Sequence, residues 1–128
     1  MNNARENYYK KLFLTAALYD LALGIVFLFF YRPLFHVLKI PLPLNPSYLL
    51  LSAAFVFVLG IAYYFIYRDI KSNRDLVKIG TIYKFAYVSV GLYCLLLGLV
   101  PHMIFLVFAA IDVVFFSLFV EFLAHTKR

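Results

Sequence analysis

Three charged residues interrupt stretches of this sequence that are otherwise almost entirely apolar. They are Asp20, Lys84 and Asp112. Two carboxylates and one ammonium can form ion pairs, and a carboxylate can also bind and release a proton. Either chemistry depends on how close together the three side chains lie, so the elements that carry them must be established first.

The sequence contains four apolar blocks, each long enough to cross a bilayer. They are residues 12–31, 48–67, 79–100 and 102–123. Because a helix rises about 1.5 Å per residue, about 20 residues span the roughly 30 Å of hydrocarbon in a membrane. Hydrophobic residues make up 66% of the 128 residues and charged residues only 14%, whereas a soluble domain has about 25% charged residues. The sequence therefore predicts an integral membrane protein, with residues 1–128 forming a single transmembrane domain.

Prolines mark two of the three boundaries between the predicted spans. All five lie outside the apolar blocks, and Pro101 divides a run over residues 79–123 that would otherwise form one helix of about 68 Å. Because proline lacks an amide donor and disfavours helix at the preceding residue, we expect the chain to reverse at residues 100–102. The predicted fold is all-α: a membrane four-helix bundle in up-down-up-down order, with a short interfacial segment between helices 1 and 2.

Residues 32–47 are the predicted interfacial segment. Polar residues recur there at helical spacing, at Arg32, His36 and Lys39, with apolar residues between them. This pattern indicates one or two turns of helix at the membrane surface, followed by an extended proline-rich stretch over residues 41–46. An interfacial anchor or lid is the simplest role for the segment, and a substrate-binding surface is the alternative.

The lysines and arginines predict how the chain is oriented. One side of the membrane would hold nine of them: Arg5, Lys10, Lys11, Arg68, Lys71, Arg74, Lys78, Lys127 and Arg128. The other side would hold only Arg32 and Lys39. Because cytosolic segments carry the excess of basic residues, we expect both termini in the cytosol. In the loop over residues 68–78, four basic residues are also candidates for contact with anionic headgroups, namely Arg68, Lys71, Arg74 and Lys78.

The three intramembrane charges are predicted to lie at overlapping depths. Measured from the cytosolic end of its span, Asp20 lies about 12 Å deep, Asp112 about 16 Å and Lys84 about 7 Å. A charge at the centre of a span costs about 2.5–3.5 kcal/mol, so such residues normally face the bundle interior and pair. We expect both aspartates to face the interior and Lys84 to approach at least one of them. The alternatives are that Lys84 extends to the membrane surface and that tyrosine, serine or threonine hydroxyls bond the aspartates.

Small residues and aromatic residues add expectations about packing. Gly91 and Gly98 share the face of span 3 that carries Lys84, where they would allow a neighbouring helix to approach closely. Several tyrosines near span ends are expected in the headgroup region, namely Tyr8, Tyr9, Tyr31, Tyr48, Tyr63, Tyr64 and Tyr67. Two phenylalanine-rich faces are expected to offer contact area to lipids or partners, namely Phe27, Phe29 and Phe30, and Phe115, Phe116 and Phe119.

The sequence argues against several classes of function. Cys94 is the only cysteine, which excludes chemistry that uses paired cysteines within the chain. His36 and His102 lie at span ends with no evident third ligand, so no metal, haem or other cofactor is expected. The net charge of +6 comes with no nucleic-acid-binding signature, and no nucleophile with a base can be assembled from the charged residues. We therefore predict no catalytic residues and no nucleic-acid partner.

A set of residues spread over the last three spans resembles a recurring pattern in small bacterial membrane proteins. The set comprises Gly60-Ile61-Ala62-Tyr63-Tyr64, Arg68-Asp69, Asn73-Arg74, Ile79-Gly80, Lys84, Gly98 and Asp112. The similar proteins are four-span proteins of unassigned function that are loosely grouped as DoxX-like. The resemblance implies a four-helix bundle in a bacterial inner membrane, and it implies no established activity.

Two functional hypotheses follow from these observations. The first is a non-enzymatic membrane bundle that acts by binding, either as a subunit of a membrane assembly or as a binder of an apolar or lipid-like ligand. Its partners would be membrane lipids and other membrane protein subunits or further copies of the chain. The second is a small proton-coupled transporter in which Asp20 or Asp112 titrates. An enzyme that acts on a lipid ranks third.

Overall fold

In a computed structural model that describes residues 2–100 and 102–126, the chain forms five α-helices. These are α1 (Asn3–Phe29), α2 (Tyr31–Leu38), α3 (Ser47–Arg68), α4 (Arg74–Leu96) and α5 (Met103–His125). All except α2 are long and apolar enough to cross a membrane, and the predicted all-α four-helix bundle is confirmed. Pro101, Lys127 and Arg128, which contributed to the predictions of chain reversal and orientation, lie outside the described residues.

The first helix begins earlier than its apolar block. It starts at Asn3, because the Oδ1 atom of Asn2 accepts a hydrogen bond of 2.8 Å from the backbone N of Arg5 and caps the first turn. Hydropathy marks only the apolar part of this helix, from Leu12 onward, and passes over its polar first turns.

The segment predicted between the first two spans does form a short helix. In α2, Tyr31 and Phe35 are buried, while Arg32 and His36 on the opposite face are exposed. The helix ends at Lys39, which adopts a left-handed backbone conformation with φ of 60°. The amphipathic pattern read from the sequence therefore matches the burial pattern in the fold.

The fourth helix ends before the predicted reversal. It stops at Leu96, and Gly98 follows with φ of +72°. The backbone N of Gly98 donates to the carbonyl of Leu95, and that of Leu99 donates to the carbonyl of Cys94. This is the Schellman arrangement, in which a left-handed glycine satisfies the last carbonyls of a helix. The prediction that the span continues to residue 100 was wrong because this glycine ends the helix first.

Close packing between helices is uneven across the bundle. A Cβ atom at Gly24 of α1 would lie 2.7 Å from Cβ of Phe57, and one at Gly60 of α3 would lie 2.9 Å from the backbone N of Leu21. These two glycines therefore let α1 and α3 approach closely. By contrast, a Cβ atom at Gly91 or Gly98 would meet no described heavy atom within 4 Å. The expectation that these two glycines allow close packing was wrong.

The bundle has two different ends. One, the terminal end, holds Asn2, Thr126 and the connection from α3 to α4; the other, the α2 end, holds α2 and the connection from α4 to α5. Among the buried side chains of the terminal end are five aromatic ones, called here the aromatic layer, namely Tyr9, Phe13, Tyr63, Phe119 and Phe122. The ring centroids of Phe13 and Phe119 lie 4.9 Å apart, and those of Tyr63 and Phe119 lie 5.3 Å apart. The aromatic layer closes the terminal end of the bundle.

The α2 end is less tightly packed. Within the described residues, no residue of α4 beyond Lys84 and no residue of α5 before Asp112 is fully buried. Phe27 and Phe35 pack together at this end, with α2 lying against α1. The rings of Phe105 and Phe108 on α5 still reach Phe27 of α1. The rest of this half of the bundle leaves space between the four long helices.

The phenylalanine-rich faces are only partly available for outside contacts. Phe29 and Phe30 are exposed, as expected for a surface in contact with lipid or a partner. Phe27, Phe115 and Phe119 are instead buried among the helices. For these three residues the expectation of an outward face was wrong, because their rings fill the core of the bundle.

Candidate functional site

The three intramembrane charges lie together at the centre of the bundle. Nζ of Lys84 lies 3.1 Å from Oδ1 and 3.3 Å from Oδ2 of Asp20, and 2.8 Å from Oδ1 of Asp112. The three residues expose 0%, 2% and 5% of their surface, in the order Lys84, Asp20 and Asp112. We call this group the Asp–Lys–Asp cluster.

Each member of the cluster comes from a different helix. Asp20 lies on α1, Lys84 on α4 and Asp112 on α5. Lys84 therefore binds both aspartates rather than extending toward the membrane surface. Among the described residues, the hydrogen bonds to the two carboxylates come from this ammonium and not from tyrosine, serine or threonine hydroxyls.

Aromatic rings surround the ammonium group on its other sides. Nζ of Lys84 lies between 5.3 and 5.7 Å from the ring centroids of four residues, Tyr19, Tyr63, Tyr83 and Phe115. At this distance a cation is attracted to the electron-rich face of a ring. The rings also shield the ammonium side of the ion pairs from water, which reduces the screening of their attraction.

Tyr63 lies in the core of the bundle and not at its expected position in the headgroup region. It was expected at a headgroup, whereas its ring is fully buried beside Lys84 and its hydroxyl lies 3.5 Å from the carbonyl oxygen of Gly80. Tyr9 and Tyr31 are likewise buried against neighbouring helices. Tyrosines on a helix side that also carries a packing glycine, as Tyr63 does with Gly60 three residues earlier, face the bundle and not the surface.

A partly open cavity of about 200 Å³ extends from the cluster toward the α2 end. All four long helices contribute to its wall, which is mostly apolar. The polar residues in the wall are Asp20, Ser52, Tyr83, Tyr87 and Asp112. Lys84 does not line the cavity, and neither does any other Lys, Arg or His of the described residues. The cavity therefore meets the carboxylate side of the cluster.

Tyr83 and Tyr87 both line the cavity, although neither was predicted as a site residue. The available signal was their spacing from Lys84: Tyr87 lies three residues after it, which places it on a neighbouring part of the same helix face. Tyr83 is adjacent to Lys84 in sequence, and its ring still comes within reach of Nζ. Residues three or four positions from a charged residue that faces the interior lie on the same side of the helix and therefore also face the interior.

The basic residues proposed for headgroup contact are at the terminal end but do not form one group. Arg74 donates to the carbonyl oxygens of Thr126 and Leu123 at 2.6 and 2.7 Å, so it caps the end of α5. Nζ of Lys71 lies 3.8 Å from Oε1 of Glu6, and Nζ of Lys78 lies 3.5 Å from Oδ1 of Asp75. Arg68 is exposed, with its guanidinium over the ring of Tyr64. Headgroup contact by these residues stays a prediction.

The described residues include no group of three His, Cys, Asp or Glu side chains that could hold a metal ion. No protein-family model, curated protein or solved structure matches this chain. The DoxX-like resemblance therefore stays a prediction, and what the protein does must be argued from the Asp–Lys–Asp cluster and the cavity beside it.

Proposed function

We propose that this integral membrane protein acts by binding, and that it holds a small apolar or lipid-like ligand in the cavity beside the Asp–Lys–Asp cluster. The observation that carries the proposal is the position of the cavity. It lies inside the bundle, between four long apolar helices, and it ends on two buried carboxylates. Sites for small molecules typically combine such an apolar wall with a few polar groups that fix orientation.

The size of the cavity supports this function. Its volume of about 200 Å³ exceeds the roughly 150 Å³ of an apolar protein cavity that takes up benzene. The wall offers aromatic and aliphatic surface from Phe27, Phe108 and Val56. A ligand with a short hydrocarbon part would therefore gain favourable contacts without requiring the helices to separate.

The proposed setting is a bacterial inner membrane with both termini in the cytosol, which places the α2 end and the cavity on the outer side. Support for this orientation comes from the excess of lysine and arginine at the terminal end. The protein is proposed as a binding protein and not as an enzyme. It is also suited to be a subunit of a larger assembly, because α4 leaves large apolar side chains such as Phe85, Tyr93 and Leu96 exposed.

The alternative is a proton-coupled transporter that uses Asp20 or Asp112. Such a protein must expose its carboxylate to water from each side in turn. The aromatic layer closes the terminal side of the cluster with tightly packed rings, and α1, α3, α4 and α5 are each continuous. These features favour a static binding site over alternating access.

The proposed function is tested by filling the cavity. Val56 lines the cavity, whereas Val58 on the same helix is exposed on the outside of the bundle. We expect that protein purified gently from its native membrane carries a small molecule detectable by native mass spectrometry. Val56→Phe should remove that molecule, because the larger side chain occupies its space.

Val58→Phe is the matched control, since it adds the same side chain to the same helix outside the cavity. This variant should retain the bound molecule. Equal retention of the molecule by Val56→Phe and Val58→Phe would contradict binding in the cavity, as would its absence from all three proteins.

A further inference from the structure

The Asp–Lys–Asp cluster does not balance its charges. It contains two carboxylates and one ammonium, and no other Lys, Arg or His among the described residues lines the adjoining cavity. In the ionised state the cluster therefore carries one negative charge in excess. A buried charge without a counter-charge is costly in an apolar surrounding, so the carboxylate end of the site takes up a positive charge, either as a proton or as a cationic ligand.

The surplus acceptor belongs to Asp112. Both oxygens of Asp20 lie within 3.3 Å of the ammonium, whereas Asp112 is bonded through Oδ1 alone. Its Oδ2 has no hydrogen-bond partner among the described residues, and this oxygen stays accessible although the residue as a whole is 95% buried. Because Asp112 also lines the cavity, a ligand in the cavity can supply the missing donor.

The rest of the wall suits the same kind of ligand. Tyr83 and Tyr87 line the cavity together with the two aspartates, and tyrosine is a side chain whose ring can attract a cation. Farther from Asp112 the wall becomes apolar, with Leu23, Phe27 and Leu49. The cavity thus has a negative polar end and a hydrocarbon end.

We propose that the cavity binds a lipophilic ammonium ion, with an N–H group donating to Oδ2 of Asp112 and the hydrocarbon part lying along the apolar wall. This inference rests on the proposed function, because it names the class of ligand for the same cavity. An anionic ligand is disfavoured by repulsion from both carboxylates. A neutral alcohol supplies a donor but leaves the excess charge unbalanced.

The test compares n-hexylammonium, 1-hexanol and hexanoate, which share a six-carbon skeleton and differ in charge. Each is titrated calorimetrically into the full chain in nanodiscs of zwitterionic lipid, and empty nanodiscs give the contribution from partitioning. We expect hexylammonium to bind about tenfold to a hundredfold more tightly than hexanol, because both ligands supply a donor but only the ammonium compensates the excess negative charge. Hexanoate should show no binding above the empty-disc level.

Asp112→Asn should reduce the affinity for hexylammonium to that for hexanol, because the remaining Lys84–Asp20 pair is electrically balanced. Glu121→Gln is the matched control, since it removes an exposed carboxylate from the same helix and should change neither affinity. Val56→Phe should remove binding of both ligands. The comparison of the three ligands on the unaltered protein requires no variant, so it decides even where Asp112→Asn does not fold.

The outcomes separate this inference from the proposed function. Equal binding of hexanol and hexylammonium, with both lost in Val56→Phe, would overturn the ammonium preference and leave the cavity as a binding site. Preference for hexylammonium that persists in folded Asp112→Asn would also overturn it. Absence of binding by all three compounds, together with a co-purified molecule lost in Val56→Phe, would reject the ammonium class alone.

Discussion

At the scale of single residues, Lys84 determines whether two buried carboxylates can coexist. Removing each carboxylate from water is costly, and the two would repel each other at the separation that a shared partner imposes. The ammonium lies within 3.1 Å of the nearest oxygen of each and so compensates both. The stability of the cluster should therefore depend much more on Lys84 than on either aspartate.

We expect Lys84→Met to lower the free energy of unfolding by about 3–5 kcal/mol, since it leaves two buried carboxylates without a counter-charge. Asp112→Asn should have a smaller effect, because the Lys84–Asp20 pair remains. Unfolding of the purified protein by SDS in mixed micelles, followed by circular dichroism, measures both changes.

Lys78→Met is the control for this comparison, as Lys78 lies on the same helix but is exposed. It should change stability little. If Lys84→Met were as stable as Lys78→Met, the cluster would not contribute to folding. The triple variant Lys84→Met, Asp20→Asn, Asp112→Asn should recover part of the loss.

The cluster could be predicted from sequence because charge is rare within the apolar blocks. When a lysine and two aspartates lie at overlapping depths in the membrane, pairing is the main way to avoid an unpaired charge there. The aromatic surroundings could not be predicted in the same way. Tyr63 and Tyr9 both lie near span ends, and tyrosines at such positions are typical of the headgroup region. Only the packing of the four helices distinguishes the two environments.

At the scale of helices, the number and order of the spans follow from the sequence, whereas their ends and contacts do not. Four apolar blocks, separated by prolines or by the charged loop over residues 68–78, leave little freedom in topology. The start of α1 depends on the cap at Asn2, and the end of α4 depends on the conformation of Gly98. Both are local hydrogen-bond arrangements that hydropathy does not register. The same limit applies to the glycines. Gly24 and Gly91 both lie in apolar spans, but only Gly24 is in close contact with another helix.

This difference between the glycines predicts opposite effects of adding one methyl group. Gly24→Ala places a Cβ atom 2.7 Å from Cβ of Phe57 and 2.9 Å from its Cα, so we expect a loss of about 1–3 kcal/mol in the free energy of unfolding. Gly91→Ala meets open space and replaces a flexible helix residue, so it should be neutral or stabilising by about 0.5–1 kcal/mol. The same SDS titration measures both, and equal effects of the two substitutions would contradict the tight contact between α1 and α3.

At the scale of the whole molecule, the bundle is asymmetric along its axis. The terminal end is closed by the aromatic layer, and the α2 end contains the cavity that reaches Asp20 and Asp112. The charged cluster lies between the two halves. A ligand therefore has a path to the carboxylates from the α2 end and meets packed rings from the terminal end. This asymmetry fits the proposed one-sided binding site better than it fits a transport pathway, which needs access from both ends.

One-sided access predicts how a membrane-impermeant thiol reagent should react with single cysteines placed in a Cys94→Ser background. Asn45→Cys should be labelled from outside intact cells and Asn73→Cys should not, because the excess of basic residues predicts a cytosolic terminal end. These two variants determine the orientation, and labelling of Asn73→Cys alone would show that the orientation is the opposite one.

Ser52→Cys lies in the cavity wall and should react only from the side that labels Asn45→Cys. Reaction of Ser52→Cys from both sides, measured in intact cells and in inverted vesicles, would show that the terminal end opens. The transporter would then become the better account of Asp20 and Asp112, since alternating access requires that opening and a closed aromatic layer forbids it.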